Sequence, residues 1–136
     1  MQQPSIENAP ATFEAFKNVS GGTATIGEPI FVDVTATTGH GIRGTTCAPL
    51  NFIMNLGHSF KGIVVNGSVS SNGYGICQDT GIVLAAVNGA VTNGNMLKGT
   101  TAGRYLVGTS EADDCIATAL FANASGTTVS NVRLAK

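Results

Sequence analysis

The stretch Ile82-Val83-Leu84-Ala85-Ala86-Val87 is the longest apolar run in the chain, and Asn88-Gly89 closes it. A run of this length fits a buried β-strand and falls well short of the roughly 18 to 20 apolar residues that cross a bilayer. Asn-Gly tolerates the positive φ angles of a type I′ turn, whose twist suits two flanking strands. The stretch therefore predicts a strand that ends in a tight turn.

The same turn signal recurs at Asn66, Asn72 and Asn93, each of which is followed by glycine. Between and around these dipeptides lie runs rich in β-branched and aromatic residues, the composition typical of strands. Together they predict a β meander, in which consecutive strands pair through hairpins. The predicted strands are residues 30–37, 50–54, 60–65, 74–77, 82–87, 104–107 and 127–134.

Residues 110–121 allow two interpretations. Ser110 suits a helix N-cap, and the acids that follow it suit the first turn of a helix. Alternatively, residues 111–114 form a turn and residues 115–121 form a strand with Ile116, Thr118 and Leu120 on one face. The β character of the surroundings favours the strand, because tertiary context overrides local propensity.

Composition excludes several classes of protein. The chain has 136 residues, a formal net charge of -1 and only 11% charged residues, so it lacks the clustered cations of a nucleic-acid-binding surface. A hydrophobic content of 43% argues against intrinsic disorder. No signal-peptide pattern or membrane span is recognised in the sequence, which predicts a protein made in a cytoplasm with no membrane partner. The charge balance predicts no nucleic-acid partner.

Residues 1–22 differ from the remainder. They contain Pro4 and Pro10, and they place Phe13 and Phe16 three residues apart among polar neighbours. We predict an N-terminal arm over residues 1–22 that becomes ordered against a partner, with Phe13 and Phe16 as contacts, and a β domain over residues 23–136. The alternative, a first strand or helical turn of the same domain, stays open.

Few residues suggest chemistry. A cysteine–histidine pair of Cys47 and His58, assisted by Asp33, is conceivable as a nucleophilic site. A flexible glycine-rich loop is the better interpretation of residues 39–47, and no enzyme activity, catalytic residue, cofactor or metal site is predicted. Within that loop we predict His40 and Arg43 as partner contacts, because a guanidinium binds carboxylates bidentately.

The three cysteines, Cys47, Cys77 and Cys115, are widely spaced and form no C-x-x-C pair. Their predicted role is packing as small apolar side chains.

The order of several motifs resembles that of the small decoration (cement) proteins of tailed-bacteriophage capsids. Those proteins have an opening G-x-P-V strand, a G-x-V-T hairpin and a closing strand with valines and a leucine. The matching segments here are Gly27–Val32, Ile82–Leu84, Asn88–Thr92, Gly103–Thr109, Ile116–Leu120, Gly126–Val129 and Val132–Leu134.

The resemblance implies a single compact β-barrel or jelly-roll-like sandwich with an extended N-terminal arm. It also implies a virion structural protein on the outer capsid surface that binds the major capsid protein and stabilises contacts between capsomers. Such proteins are homo-oligomers, trimers or dimers, at capsid symmetry axes. Two alternatives stay open: another viral β component such as a tail or fibre module, and a carbohydrate-binding β-sandwich module.

Overall fold

The computed structural model describes residues 10–18, 22–31, 45–47, 60–99, 104–112 and 115–135. These residues are organised in β-strands and turns, which confirms the all-β prediction. The strands are β1 (Thr12–Asn18), β2 (Pro29–Phe31), β3 (Thr45–Cys47), β4 (Phe60–Val64), β5 (Tyr74–Thr80), β6 (Ile82–Asn88), β7 (Met96–Gly99), β8 (Leu106–Thr109), β9 (Ala117–Ala119) and β10 (Thr127–Leu134).

Half of these strands form an open sheet in the order β2-β4-β5-β1-β3. One face of the sheet carries a small core, because alternate residues of a strand point to the same side. Phe16 lies opposite Gly75 on the neighbouring strand, and its ring fills the space above that glycine. The members of this small core are Phe16, Ala24, Ile30, Val64, Val69 and Cys77.

The other strands close into a barrel in the order β10-β6-β8-β7-β9. The longest ladder joins β6 and β10 in antiparallel register, from Thr127 opposite Asn88 to Arg133 opposite Ile82. Because the barrel is narrow, small side chains occupy part of its interior. Its inward residues include Val83, Ala85, Val87, Leu97, Leu106, Ala117, Ala119, Val132 and Leu134.

Three residues of the sheet share the core of the barrel. Phe31, Phe60 and Ile63 are buried with the inward barrel residues, and the two phenylalanine rings meet edge to face at 5.6 Å and 65°. The Phe31 ring lies against Gly99 at the end of β7.

The backbone of Gly27 adds a second connection between the sheet and the barrel. Its N–H donates to the Val64 carbonyl at 2.9 Å, and its carbonyl accepts from the Ala86 N–H at 2.8 Å. Sheet and barrel are therefore joined by packing and by backbone hydrogen bonds.

The Asn-Gly sites do not form the predicted type I′ hairpins, and the predicted meander is wrong. A type I′ turn needs a positive φ at both central residues, whereas three of the sites have it at one residue only. Asn72 adopts a φ of 67°, and Gly89 and Gly94 each adopt a φ of 95°. In addition, β6 pairs with β10 and with β8 rather than with β7, which follows it in sequence. Closing the barrel requires distant strands to meet, and turn signals carry no information about such pairs.

The prediction for the last strand, residues 127–134, is confirmed at both ends, whereas β3 and β7 were not predicted. Predicted strand residues 32–37 and 50–54 lie outside the described residues.

For the ambiguous segment after Ser110, β9 confirms a strand, but over Ala117–Ala119 rather than residues 115–121. The predicted strand face of Ile116, Thr118 and Leu120 is wrong, because only Thr118 of these three residues lies in β9. The inward residues are Ala117 and Ala119, both fully buried, while Thr118 is half-buried. Ala119 lies opposite Val132 and Ala117 opposite Leu134, so each small side chain leaves room for a larger one across the ladder.

A substitution at Gly62 tests how closely β4 packs against β5. A Cβ at this position would lie 2.7 Å from the Gln78 carbonyl oxygen on the adjacent strand, and a backbone atom in a ladder cannot move aside easily. We expect Gly62→Ala to lower the free energy of unfolding by about 1–3 kcal/mol. Gly67→Ala is the matched control, because no atom lies within 4 Å of the corresponding position. Urea denaturation of both variants measures the difference, and equal stabilities would contradict the described β4–β5 register.

Candidate partner-binding surface

The structure places part of the predicted arm inside the sheet. Residues 12–18 form β1, which pairs with β5 on one side and with β3 on the other. The Asn18 side chain is buried, and its Nδ2 donates to the carbonyls of Gly22 and Val69 at 2.8 Å each. Residues 12–18 are therefore a strand of the β domain, which was the alternative to an arm that becomes ordered against a partner. Residues 1–9 lie outside the described residues.

The two phenylalanines predicted as partner contacts lie on opposite faces of β1. Phe16 is 0% exposed within the small core, so its ring is not available to a partner in this conformation. Phe13 is 57% exposed on the other face, and its contact with a partner stays a prediction. His40 and Arg43 lie outside the described residues.

Phe13 is one of several large apolar side chains that remain exposed. Among the described residues, seven such side chains are between 43% and 66% exposed. We call the surface that they form the apolar face; it consists of Phe13, Ile26, Tyr74, Ile76, Ile82, Leu84 and Val129.

Strand register connects the first part of the apolar face. Tyr74, Ile76 and Gln78 alternate along β5 and so point to the same side. Phe13 lies opposite Gln78 on β1, and directly opposite residues of an antiparallel pair share a face. Ala15, which is also exposed, lies opposite Ile76 and continues the surface.

A groove connects this part to the barrel. It has a volume of about 310 Å³ and lies between β5 and the outer wall of β6. At its base Gln78 is buried, and its Nε2 donates to the carbonyls of Thr80 at 2.8 Å and Ile82 at 2.9 Å. The described residues that line the groove are all uncharged; they are Ile26, Val64, Val65, Gln78, Ile82, Val83, Leu84 and Asn131.

Val129 extends the apolar face along the barrel. It lies opposite Ala86, which points to the same side as Leu84 two residues earlier on β6. All seven exposed apolar side chains are thus linked by register or by the groove. A continuous apolar surface that remains exposed marks a site of interaction more often than scattered apolar residues do.

Two cations border the apolar face, while the ion pair between Lys61 and Glu14 lies on the other side of the sheet. Lys17 lies opposite Tyr74, and Arg133 lies opposite Ile82. Lys61 forms an ion pair with Glu14. Glu14 lies opposite Cys77, a member of the small core, so its side chain is on the face of the sheet opposite the apolar face. The surface is therefore apolar at its centre and basic at two edges.

A second ion pair attaches the residues before β2 to the residues before β8. Arg104 Nη2 lies 3.1 Å from Glu28 Oε2, and the same nitrogen donates to the Thr23 carbonyl at 3.1 Å. The Glu28 side chain is 9% exposed, and its Oε1 accepts from the Thr25 N–H at 3.0 Å. Each carboxylate oxygen thus has a partner, which fixes the chain around Ile26 at the edge of the groove.

A shallow polar depression of about 530 Å³ lies at another part of the barrel surface. None of the described residues that line it is aromatic. The lining consists of Asn88, Gly89, Ala90, Asn95, Val107, Gly108, Thr109 and Ser110.

The side chains considered for catalysis lie outside the described part of the chain, and the two cysteines described in full, Cys77 and Cys115, have separate environments. Cys77 is buried in the small core, and Cys115 is half-buried with its Sγ 3.3 Å from the Ala117 carbonyl. Asp33, His58 and the Cys47 side chain lie outside the described residues. Within the described ranges no cluster of three or more His, Cys, Asp or Glu residues is arranged to hold a metal ion.

The described residues also include no helix that is long and apolar enough to cross a membrane.

The fold is that of a known phage β module. The chain is similar to the crystal structure of the N base of head fiber gp8.5 in bacteriophage phi29, with a TM-score of 0.62 and 8% sequence identity. The similarity covers 93% of this chain and 95% of the other. No family model matches the chain, and no curated protein matches it.

Phe16 is buried and Phe13 is exposed, so replacing each with alanine should have different effects on stability. We expect Phe16→Ala to lower the free energy of unfolding by about 3–5 kcal/mol, because it removes a ring from a closed core. Phe13→Ala should change it by no more than about 0.5 kcal/mol, as at most exposed positions. Thermal and urea unfolding provide the comparison. A stable Phe16→Ala variant would mean that β1 is not a structural strand.

Proposed function

We propose that this chain is a structural protein of a bacteriophage virion that binds the outside of the head as a capsid decoration protein. The observation that carries the proposal is the similarity to a head fiber base over nearly the full length of both chains. The motif order that resembles capsid decoration proteins supports the same assignment. The partner in this proposal is the major capsid protein.

The apolar face supplies the attachment surface in this proposal. Ile82 and Leu84 are 44% and 49% exposed, so docking would remove a large part of each side chain from water. Fully burying one such side chain contributes roughly 1.5–3 kcal/mol, so several half-exposed ones give a useful but moderate affinity. Moderate contacts suffice on a capsid, because copies that also contact one another on a lattice bind with high avidity.

The basic border suits an acidic capsid surface. Lys17 and Arg133 lie at two edges of the apolar face and would steer the protein toward carboxylates during encounter. Charges at the rim of an interface change the association rate and its salt dependence more than the final affinity. The apolar centre would then hold the complex.

A second candidate function is the base of a head fibre, which the description of the similar structure favours. A fibre base carries an elongated appendage, whereas a decoration protein needs none. Electron microscopy of virions that contain the protein separates the two by whether an elongated appendage projects from the positions that it occupies.

Binding of the purified protein to heads that lack it, measured by co-sedimentation, tests the proposal. We expect Leu84→Glu to weaken binding by about tenfold or more, because a charge replaces an apolar contact at the centre of the face. Thr92→Glu is the control, since Thr92 is exposed and lies outside the apolar face and the groove. Both variants should melt like the unaltered protein.

Two results would contradict the proposal in different ways. Failure of the unaltered protein to bind heads would remove the assigned function. Equal binding by the Leu84→Glu and Thr92→Glu variants would retain the function and remove the apolar face as the attachment surface.

A further inference from the structure

The four Asn-Gly pairs differ in what their glycine N–H groups contact. Three are held by backbone carbonyls: Gly73 donates to Ser70 at 2.8 Å, Gly89 to Gly126 at 3.0 Å and Gly94 to Ala119 at 2.8 Å. The Gly67 N–H makes no hydrogen bond with a described residue. Gly67 is also exposed, and no atom lies within 4 Å of the position that a Cβ would occupy.

The asparagine before Gly67 has a second distinguishing feature. The Ile76 N–H donates to Asn66 Oδ1 at 2.9 Å. A backbone donor at this distance stabilises negative charge on a carbonyl oxygen, as the donors of an oxyanion hole do. Asn88 Oδ1 also accepts a hydrogen bond, from the Thr127 hydroxyl, but the N–H of the following Gly89 is already engaged.

From these contacts we infer that Asn66 is a site of spontaneous deamidation in the folded protein. The Gly67 nitrogen loses its proton to hydroxide and attacks Asn66 Cγ, forming a new N–C bond and placing negative charge on Oδ1. The C–N bond of the side-chain amide then breaks, and ammonia leaves after taking a proton from water. Water opens the resulting succinimide at either carbonyl and produces aspartate or isoaspartate.

The environment favours this step at Asn66 and opposes it at the other three sites. A glycine N–H that is bonded to a carbonyl must first break that bond before its nitrogen can attack. At Gly67 no hydrogen bond to a described residue has to break first, and the Ile76 N–H is already directed at the oxygen that gains charge. The inference does not depend on the proposed function.

The products would alter the edge of the apolar face. Aspartate at position 66 keeps an acceptor for the Ile76 N–H but adds a negative charge next to the strand that carries Ile76 and Tyr74. Isoaspartate adds a methylene to the backbone between β4 and β5, which displaces the acceptor from that N–H. Conversion therefore introduces charge or a shifted loop beside a surface that is otherwise apolar.

Peptide mapping by mass spectrometry tests the inference on the folded full-length protein during incubation in mildly alkaline buffer. We expect Asn66 to convert faster than Asn72, Asn88 and Asn93 by roughly two- to tenfold, the protection that one hydrogen bond provides. The same incubation in concentrated urea should bring the four rates together, because glycine follows each asparagine. A faster rate at another site, equal rates in the folded protein, or an unchanged ratio in urea would overturn the inference.

The Gly67→Ala variant provides an independent test. The added methyl group hinders attack by the nitrogen and meets no neighbouring atom, so the fold is retained. We expect conversion at Asn66 to slow severalfold, while the other three sites and the melting temperature stay unchanged. Unaltered conversion at Asn66 in this variant would show that the Gly67 nitrogen is not the nucleophile. Asn66→Asp serves as the chromatographic standard for one of the two products.

Discussion

The insertion of Phe31 and Phe60 into the core of the barrel determines how the two parts of this molecule are arranged. Without these rings the sheet and the barrel would each bury a separate and smaller core. With them, Ile63 and the inward barrel residues form a continuous apolar interior. The backbone of Gly27 forms hydrogen bonds with Val64 of the sheet and Ala86 of the barrel, and so fixes the distance between these two strands.

This arrangement creates the apolar face. Ile76 belongs to the sheet and Leu84 to the barrel, and the groove between them exists because the shared core fixes the two parts side by side. The same strands that bury Val83 and Cys77 inward expose Leu84 and Ile76 outward, because side chains alternate along a strand. A chain with few charged residues exposes apolar side chains on such outward positions, and here they are contiguous rather than scattered.

The sequence predicts the strands well and their partners poorly. Residues 127–134 show the β-branched composition of a strand over their full length, and the structure has the same bounds. The closed barrel depends on contacts such as β6 with β10, which are distant in sequence and leave no local signal. For the candidate site, the three-residue spacing of Phe13 and Phe16 suggested one shared role. In a strand an odd spacing puts two side chains on opposite faces, so the same residues predict one buried and one exposed ring once β1 is recognised.

The most direct test of this account is a cryo-electron microscopy map of phage heads saturated with the protein, at a resolution that orients the domain. The account predicts that the outer wall of β6 and the exposed side of β5 lie against the capsid, with Leu84 and Ile76 within contact distance of the major capsid protein. A map in which these two side chains point to solvent, while another surface of the domain contacts the capsid, would contradict it.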